Sequence, residues 1–248
     1  MTGELRVIPL RGIPELEAGD DLGALLVESA EGAAGLESGD AVVVAQKAVS
    51  KVEGRVLHLD QVQPSDRARE LAGDDDARRI EVILQESRRI VRMRPPTLII
   101  AETRHGFVCA SAGVDQSNAK GQSTLILLPL DPDASARLLR NRILELSGVD
   151  VGVIVSDSFG RPFRRGTTDV ALGVAGLGPL LDLKGRRDST GYELQATEIA
   201  VADEIAGAAE LVMGKTDGIP AALVRGLDLP SDGSGQDLIM PSERDLFR

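Results

Sequence analysis

Five short apolar runs constrain this chain more than any other feature: A-V-V-V-A at 41–45, T-L-I-I-A at 97–101, T-L-I-L-L-P at 124–129, V-G-V-I-V at 151–155 and A-A-L-V-R at 221–225. Each is too short for a typical helix and rich in branched aliphatic side chains, so each reads as a strand. A-V-V-V-A, apolar throughout, reads as a buried one. E-L-R-V-I-P near the start alternates like a strand and is expected to break at Pro9 and Gly12. Aromatic residues make up only 2% of the chain, so the core has to be built from Val, Ile, Leu and Ala.

Helical signals lie between these runs. Asp20 or Asp21 can cap a helix reaching about Ala34, after which Ser38-Gly39-Asp40 turns the chain into A-V-V-V-A. Ile80, Ile83, Leu84 and Ile90 form one stripe, predicting a helix that stops before Pro95-Pro96. Asp131-Pro132 marks a helix start, with Leu138, Leu139, Ile143 and Leu146 as its apolar face and Gly148 as its end. A further helix is expected from about Glu198 to Val212, turning Ile199, Ala202, Ile205, Ala209 and Val212 inward. Residues 60–76 are polar, acidic and without a firm period, and are expected to be exposed. The stretch from about 230 to 248 is polar and Gly-Ser rich and reads as a loose tail. Strands and helices mix without a regular βαβ rhythm, and no internal repeat is visible. The expected fold class is therefore mixed α/β (α+β), not a simple doubly wound sheet.

The formal net charge of −11 argues against non-specific nucleic-acid binding or attraction to anionic membranes. No apolar run approaches the ~18 residues of a membrane span, and M-T-G-E-L-R-V-I-P-L lacks a signal-peptide core. The lone Cys109, in F-V-C-A, suits a reducing compartment and reads as a small buried apolar residue, not a nucleophile. A cytoplasmic, soluble protein is the expectation.

Several chemistries are absent from the sequence. It has no G-x-S-x-G elbow and no G-x-G-x-x-G after a strand. His58 and His105 have no second His or Cys nearby at ligand spacing, which argues against zinc. Met213-Gly214-Lys215-Thr216 ends like a phosphate-binding P-loop, but Ala209 stands where the first glycine belongs, and the segment closes a helical pattern where a P-loop would open one.

Three loops remain. Gly113 to Asn118 places Asp115, Ser117 and Asn118 in one turn; the alternative is a turn whose Asp and Asn satisfy their own backbone. Asp157-Ser158 follows V-G-V-I-V and precedes Arg161, Arg164 and Arg165; the pair could instead be a simple cap. Gln46 to Arg55 follows A-V-V-V-A and presents Lys47 and Lys51, which can hold phosphate oxygens as point charges or merely solvate a strand end. Together, two carboxylates, two lysines and an arginine cluster are the inventory for a nucleoside triphosphate and its metal. The same inventory suits a metal-dependent GTPase or phosphohydrolase, or a non-catalytic nucleotide-binding module.

Four blocks then carry a family likeness: V-V-A-Q-K-A-V-S-K-V-E-G-R, E-T-R-H-G-F-V-C-A-S-A-G-V-D-Q-S-N, S-D-S-F-G-R-P-F-R-R-G-T-T-D-V-A-L-G and T-E-I-A-V-A-D-E-I-A-G-A-A-E-L-V-M-G-K. In this order they resemble the coenzyme F420-0:γ-glutamyl ligase family, from I-P-L-R-G-I-P to about Leu229. The resemblance implies a GTP-dependent ligase that adds L-glutamate to the phospholactyl carboxylate of coenzyme F420-0, then further γ-linked glutamates, through an acyl phosphate. It implies GTP contacts at Ile13, Pro14, Glu15, Leu16, Gln46, Lys47, Lys51 and Asn118, and along Met213, Gly214, Lys215, Thr216, Asp217, Gly218, Ile219 and Pro220. Asp115, Asp157 and Ser158 match divalent-metal positions for magnesium or manganese, and Asp115, Asp157 and Lys51 are the expected catalytic groups. Some members have Gln at the position of Lys215 and use it near a second metal, which an ammonium cannot ligate. Residues 1–248 are expected to form one ligase domain of two packed subdomains in an intertwined homodimer, with potassium as a stimulating ion. Arg161, Arg164 and Arg165 are expected to meet anionic groups of the substrates, or else to bridge to acidic residues of a dimer partner.

Overall fold

The computed structural model describes residues 3–94, 98–117, 123–228 and 232–246. In chain order the elements are β1 (Arg6–Leu10), α1 (Leu22–Ala33), β2 (Ala41–Ala45), α2 (Gln46–Val52), β3 (Val56–His58), α3 (Asp66–Ala72), α4 (Ala77–Glu86) and β4 (Ser87–Arg94). There follow β5 (Leu98–Thr103), β6 (Val108–Ala110), β7 (Thr124–Ile126), α5 (Pro132–Ser147), β8 (Gly152–Gly160) and β9 (Thr167–Ala175). The last are β10 (Leu181–Asp182), β11 (Glu198–Ile199), α6 (Val201–Met213) and β12 (Ala221–Arg225).

The principal sheet has the order β1-β12-β2-β8-β9, with β2 and β8 parallel and the other pairs antiparallel. Both of its faces are covered, which is why β2 is apolar at every position. Val42 and Val44 join Val153, Val155 and Leu223 in a core with α1 and α5. Ala41, Val43, Ile154 and Ala222 point the other way, into a core with α6. A separate core under β4, β5 and β7 is filled by Ile80 and Ile83 of α4 and Ala68 and Ala72 of α3.

Mixed α/β architecture is thus present, and several local expectations need correction. β1 runs through Pro9, because β1 is an edge strand and Pro9 owes no ladder hydrogen bond on its open side. The helix carrying Ile80 and Ile83 stops at Glu86, and Ser87–Arg94 is a strand instead, where Arg88 and Arg89 pair with Glu102 across β5. Ile90 therefore packs from a strand. Within 60–76, Ser65 caps α3 by accepting from the Ala68 N–H, and that helix buries two alanines.

On α5 the inward side is Ala136, Leu139 and Ile143, while Leu138 is 68% exposed and Leu146 also faces out. Asp133 turns inward instead, its Oδ1 accepting from the N–H of Val174 at 2.8 Å and of Gly235 at 2.7 Å. That carboxylate ties β9 to residues 235–238, a 3₁₀ turn inside the stretch expected to be loose. α6 begins at Val201, after Glu198 and Ile199 have paired with β10.

Candidate nucleotide and metal cleft

β2 ends at Ala45, opposite Ser156 of its parallel neighbour β8, which runs on to Gly160; a cleft of about 380 Å³ opens where β2 stops. In open sheets ligands bind outside the carboxyl ends of parallel strands. Its wall gathers residues 13–16, Gln46, Lys47 and Lys51 of α2, Asp157 and Ser158 of β8, and residues 213–216 with 218–220.

No loop separates β2 from the lysines, contrary to the expectation of a strand-end segment: α2 starts at the residue after Ala45. Lys47 and Lys51 are four apart and so share a helix face. Lys51 Nζ pairs with Glu15 Oε1 at 2.7 Å, and Lys47 Nζ with Asp115 Oδ2 at 2.6 Å. Gln46 is 1% exposed; its Oε1 accepts from Ser50 Oγ, but its Nε2 has no partner. A buried orphan donor costs about 1–3 kcal/mol, and an acceptor oxygen of a ligand in the cleft would relieve it.

The acids divide across β8. Alternation turns Ser156 and Ser158 to one side and Asp157 to the other. Burial pushes the Asp157 carboxyl up to about 7; Lys47 opposes the shift, and Asp169 and Asp115 add to it. Asp115 differs: burial works against its charge, yet hydrogen bonds from Lys47 and Ser117 hold it below the ordinary carboxylate range. It also accepts from the Ser117 N–H and hydroxyl, so the self-satisfying turn is real and coexists with the Lys47 pair. Its backbone bridges to Ile126. Asp115 is not part of the cleft wall and meets it through Lys47, whereas Asp169 and Glu210, neither singled out from the sequence, line the cleft together with Asp157. Burial and the neighbouring Asp169 raise the Glu210 carboxyl.

The remaining candidates are placed differently. Asp217 is exposed beside the cleft and is not part of its wall. Arg161, Arg164 and Arg165 sit exposed on the turn joining β8 to β9, outside the cleft wall, with Arg161 donating to the Arg165 carbonyl at 3.1 Å. Asn118 lies outside the described residues. Met213 is the last residue of α6 and Gly214 to Thr216 follow it, so this segment cannot act as a P-loop, which needs the positive amino end of a helix. Cys109 is buried, and burial together with Asp157 pushes its thiol up to about 12, an inert thiol.

Among the described residues, no three His, Cys, Asp or Glu side chains form a ready-made metal cage. The donors present nonetheless fit magnesium or manganese. Magnesium characteristically takes one or two carboxylates and completes its shell with water and substrate phosphates. Asp157, disfavoured as an anion by its surroundings, gains from a cation beside it.

A mixed α/β sheet with cations, an orphan amide and carboxylates at its carboxyl end defines a class of protein suited to binding an anionic ligand together with a metal. Comparison with known proteins narrows this. The F420-0:Gamma-glutamyl ligase family matches residues 12–226, and the chain belongs to that family. It is 45% identical to the coenzyme F420:L-glutamate ligase of Methanothermobacter thermautotrophicus, over 98% of this chain and 99% of that one. It is 47% identical to the ligase of the same name from Methanopyrus kandleri over 98% of both chains, and 48% identical to that of Methanocaldococcus jannaschii over 86% of both. Among the described residues no helix is long and apolar enough to cross a membrane.

Proposed function

We propose that this chain uses GTP to join L-glutamate to the phospholactyl carboxylate of coenzyme F420-0, and then adds further glutamates through the γ-carboxylate. Family membership supports the ligase chemistry. The observation that carries the nucleotide reading is the single cleft that gathers residues 13–16, Gln46, Lys47, Lys51, Asp157, Ser158 and most of 213–220.

A carboxylate is a poor electrophile. Its oxygen attacks the γ-phosphorus, GDP leaves with the bonding electrons, and an acyl phosphate results. The glutamate amine then forms the C–N bond, inorganic phosphate departs, and one proton is released overall. Lys47 and Lys51 hold phosphate oxygens in place, and the Gln46 amide donates to one of them. Asp115, Asp157 and Ser158 would hold a magnesium or manganese ion, which neutralises charge on the transferring phosphoryl group. Holding the anionic reactants together converts a bimolecular step into an effectively unimolecular one.

Arg161, Arg164 and Arg165, on their exposed turn, are assigned to the acceptor, whose phosphate and carboxylates extend beyond the cleft. The same reading takes the fold as two packed subdomains of an intertwined cytoplasmic homodimer stimulated by potassium; light scattering tests the dimer. The deciding experiment is product mass after incubation with GTP, a divalent metal, glutamate and F420-0. Mass gains of one or more glutamyl units that require GTP support the ligase. GTP consumption without a mass gain would replace it with a GTPase.

A further inference from the structure

Asp169 is 4% exposed in the wall of the cleft, and each of its carboxylate oxygens accepts a hydrogen bond from a hydroxyl. Ser158 Oγ donates to Oδ1 at 2.7 Å and Ser156 Oγ to Oδ2 at 2.9 Å. Strand pairing imposes this arrangement. Ser158 stands directly opposite Asp169 in the β8–β9 register, and Ser156 is two residues along on the same side of β8. A carboxylate can only accept, so both hydroxyl hydrogens are committed to it. The lone pairs of Ser158 Oγ are then left for the cleft, which Ser158 also lines.

We propose that Asp169 is a positioning residue that accepts the hydrogen bond of the Ser158 hydroxyl and thereby presents the Ser158 oxygen, lone pairs outward, to a divalent cation. The inference rests on the reading of Ser158 as a metal-facing hydroxyl. A hydroxyl is a weak ligand, and donating its hydrogen to a carboxylate strengthens its oxygen as a donor. Partners of this kind behind metal ligands are typically worth about 10–100-fold in affinity. An asparagine at 169 has the same shape but carries an N–H₂ group. That group can donate to Ser158 Oγ and occupy the lone pair the cation needs. Ser156 has the complementary part of holding the second carboxylate oxygen, which fixes Asp169 in the orientation that accepts from Ser158.

The experiment is a Mn²⁺ titration of the GDP-loaded full chain, followed by electron paramagnetic resonance, with Asp169→Asn, Ser158→Ala and the double variant. Asp169→Asn should weaken Mn²⁺ at least about tenfold, match Ser158→Ala, and add nothing in its presence. Circular dichroism should show all three folded. If Asp169→Asn does not fold, Ser156→Ala takes its place: it should weaken Mn²⁺ about two- to tenfold, and only while Ser158 is present. Wild-type affinity in Asp169→Asn would overturn the proposal. Additive losses in the double variant would overturn it too, by making Asp169 an independent ligand. No Mn²⁺ binding by the wild type beyond that of GDP alone would remove the metal reading itself, and this inference with it.

Discussion

At the amino end of β2, Asp40 is 2% exposed and accepts from Arg225 Nε and Nη2, both at 2.8 Å. Glu37 and the Gly35 carbonyl each take one further guanidinium hydrogen. On β8, the parallel neighbour of β2, Asp157 lies one residue past the end of β2 and faces burial and two further carboxylates. These are offset by the Ser158 backbone N–H and a shared lysine but, among the described residues, by no cation of its own. One sheet therefore carries a carboxylate with its charge matched by a bidentate partner, and another whose charge is unwelcome. The first arrangement stabilises a fold. The second is what a site for an external cation requires, because perturbed carboxylates gather where function needs them.

Removing each carboxylate in turn should have opposite consequences. Asp40→Ala should cost about 3 kcal/mol in urea unfolding, since it removes the buried carboxylate that is the main partner of the partly buried Arg225 guanidinium. The folded fraction should still turn over. Asp157→Asn should do the reverse: kcat falls roughly 10²–10³-fold, by analogy with the loss of one electrostatic stabiliser, while the melting temperature holds or rises. A melting temperature that fell as far as in Asp40→Ala would erase the distinction.

The pH dependence follows from the same carboxyl. Its folded value of about 7 lies above the ordinary 3.8, so the metal-free fold keeps a proton that the unfolded chain releases. That contribution is complete below about pH 4 and is lost as pH rises through about 7. In a chelator, thermal stability should decline across this window, and Asp157→Asn should flatten the decline. Cys109 should resist iodoacetamide at pH 8 in the native state and react only in urea, as its thiol value of about 12 requires. The smallest effect is expected from Glu15→Gln. Its pair with Lys51 is half exposed, so stability should change by under about 1 kcal/mol, measured by thermal melting.

The apolar strands and the best-capped helices were legible because their signals are local. A-V-V-V-A, V-G-V-I-V and A-A-L-V-R became β2, β8 and β12, and Asp21 and Asp131 cap α1 and α5 as their residue types suggest. Ser87–Arg94 was not legible, since its polar side chains are rationalised only by Glu102 across β5. The same non-locality hid Asp169. It is the only charged residue within β9, a hint in itself, but its purpose appears only when pairing sets it opposite Ser158. The lysines were found as a pair, yet the helix that aligns them was read as a strand-end segment.

That helix has a kinetic consequence. With no linker between β2 and Gln46, the backbone carrying the cleft's lysines is fixed by the sheet before any ligand arrives. The ordering entropy of that wall is lost once, when the chain folds, and is not demanded again at each encounter. Closure around a ligand would then fall to Pro14, Glu15, Gly214, Lys215, Thr216 and Gly218, exposed wall residues that lie outside helix and strand. Ile13, Leu16 and Ile219 stay anchored in the cores, so the cleft works as a vice with one fixed jaw.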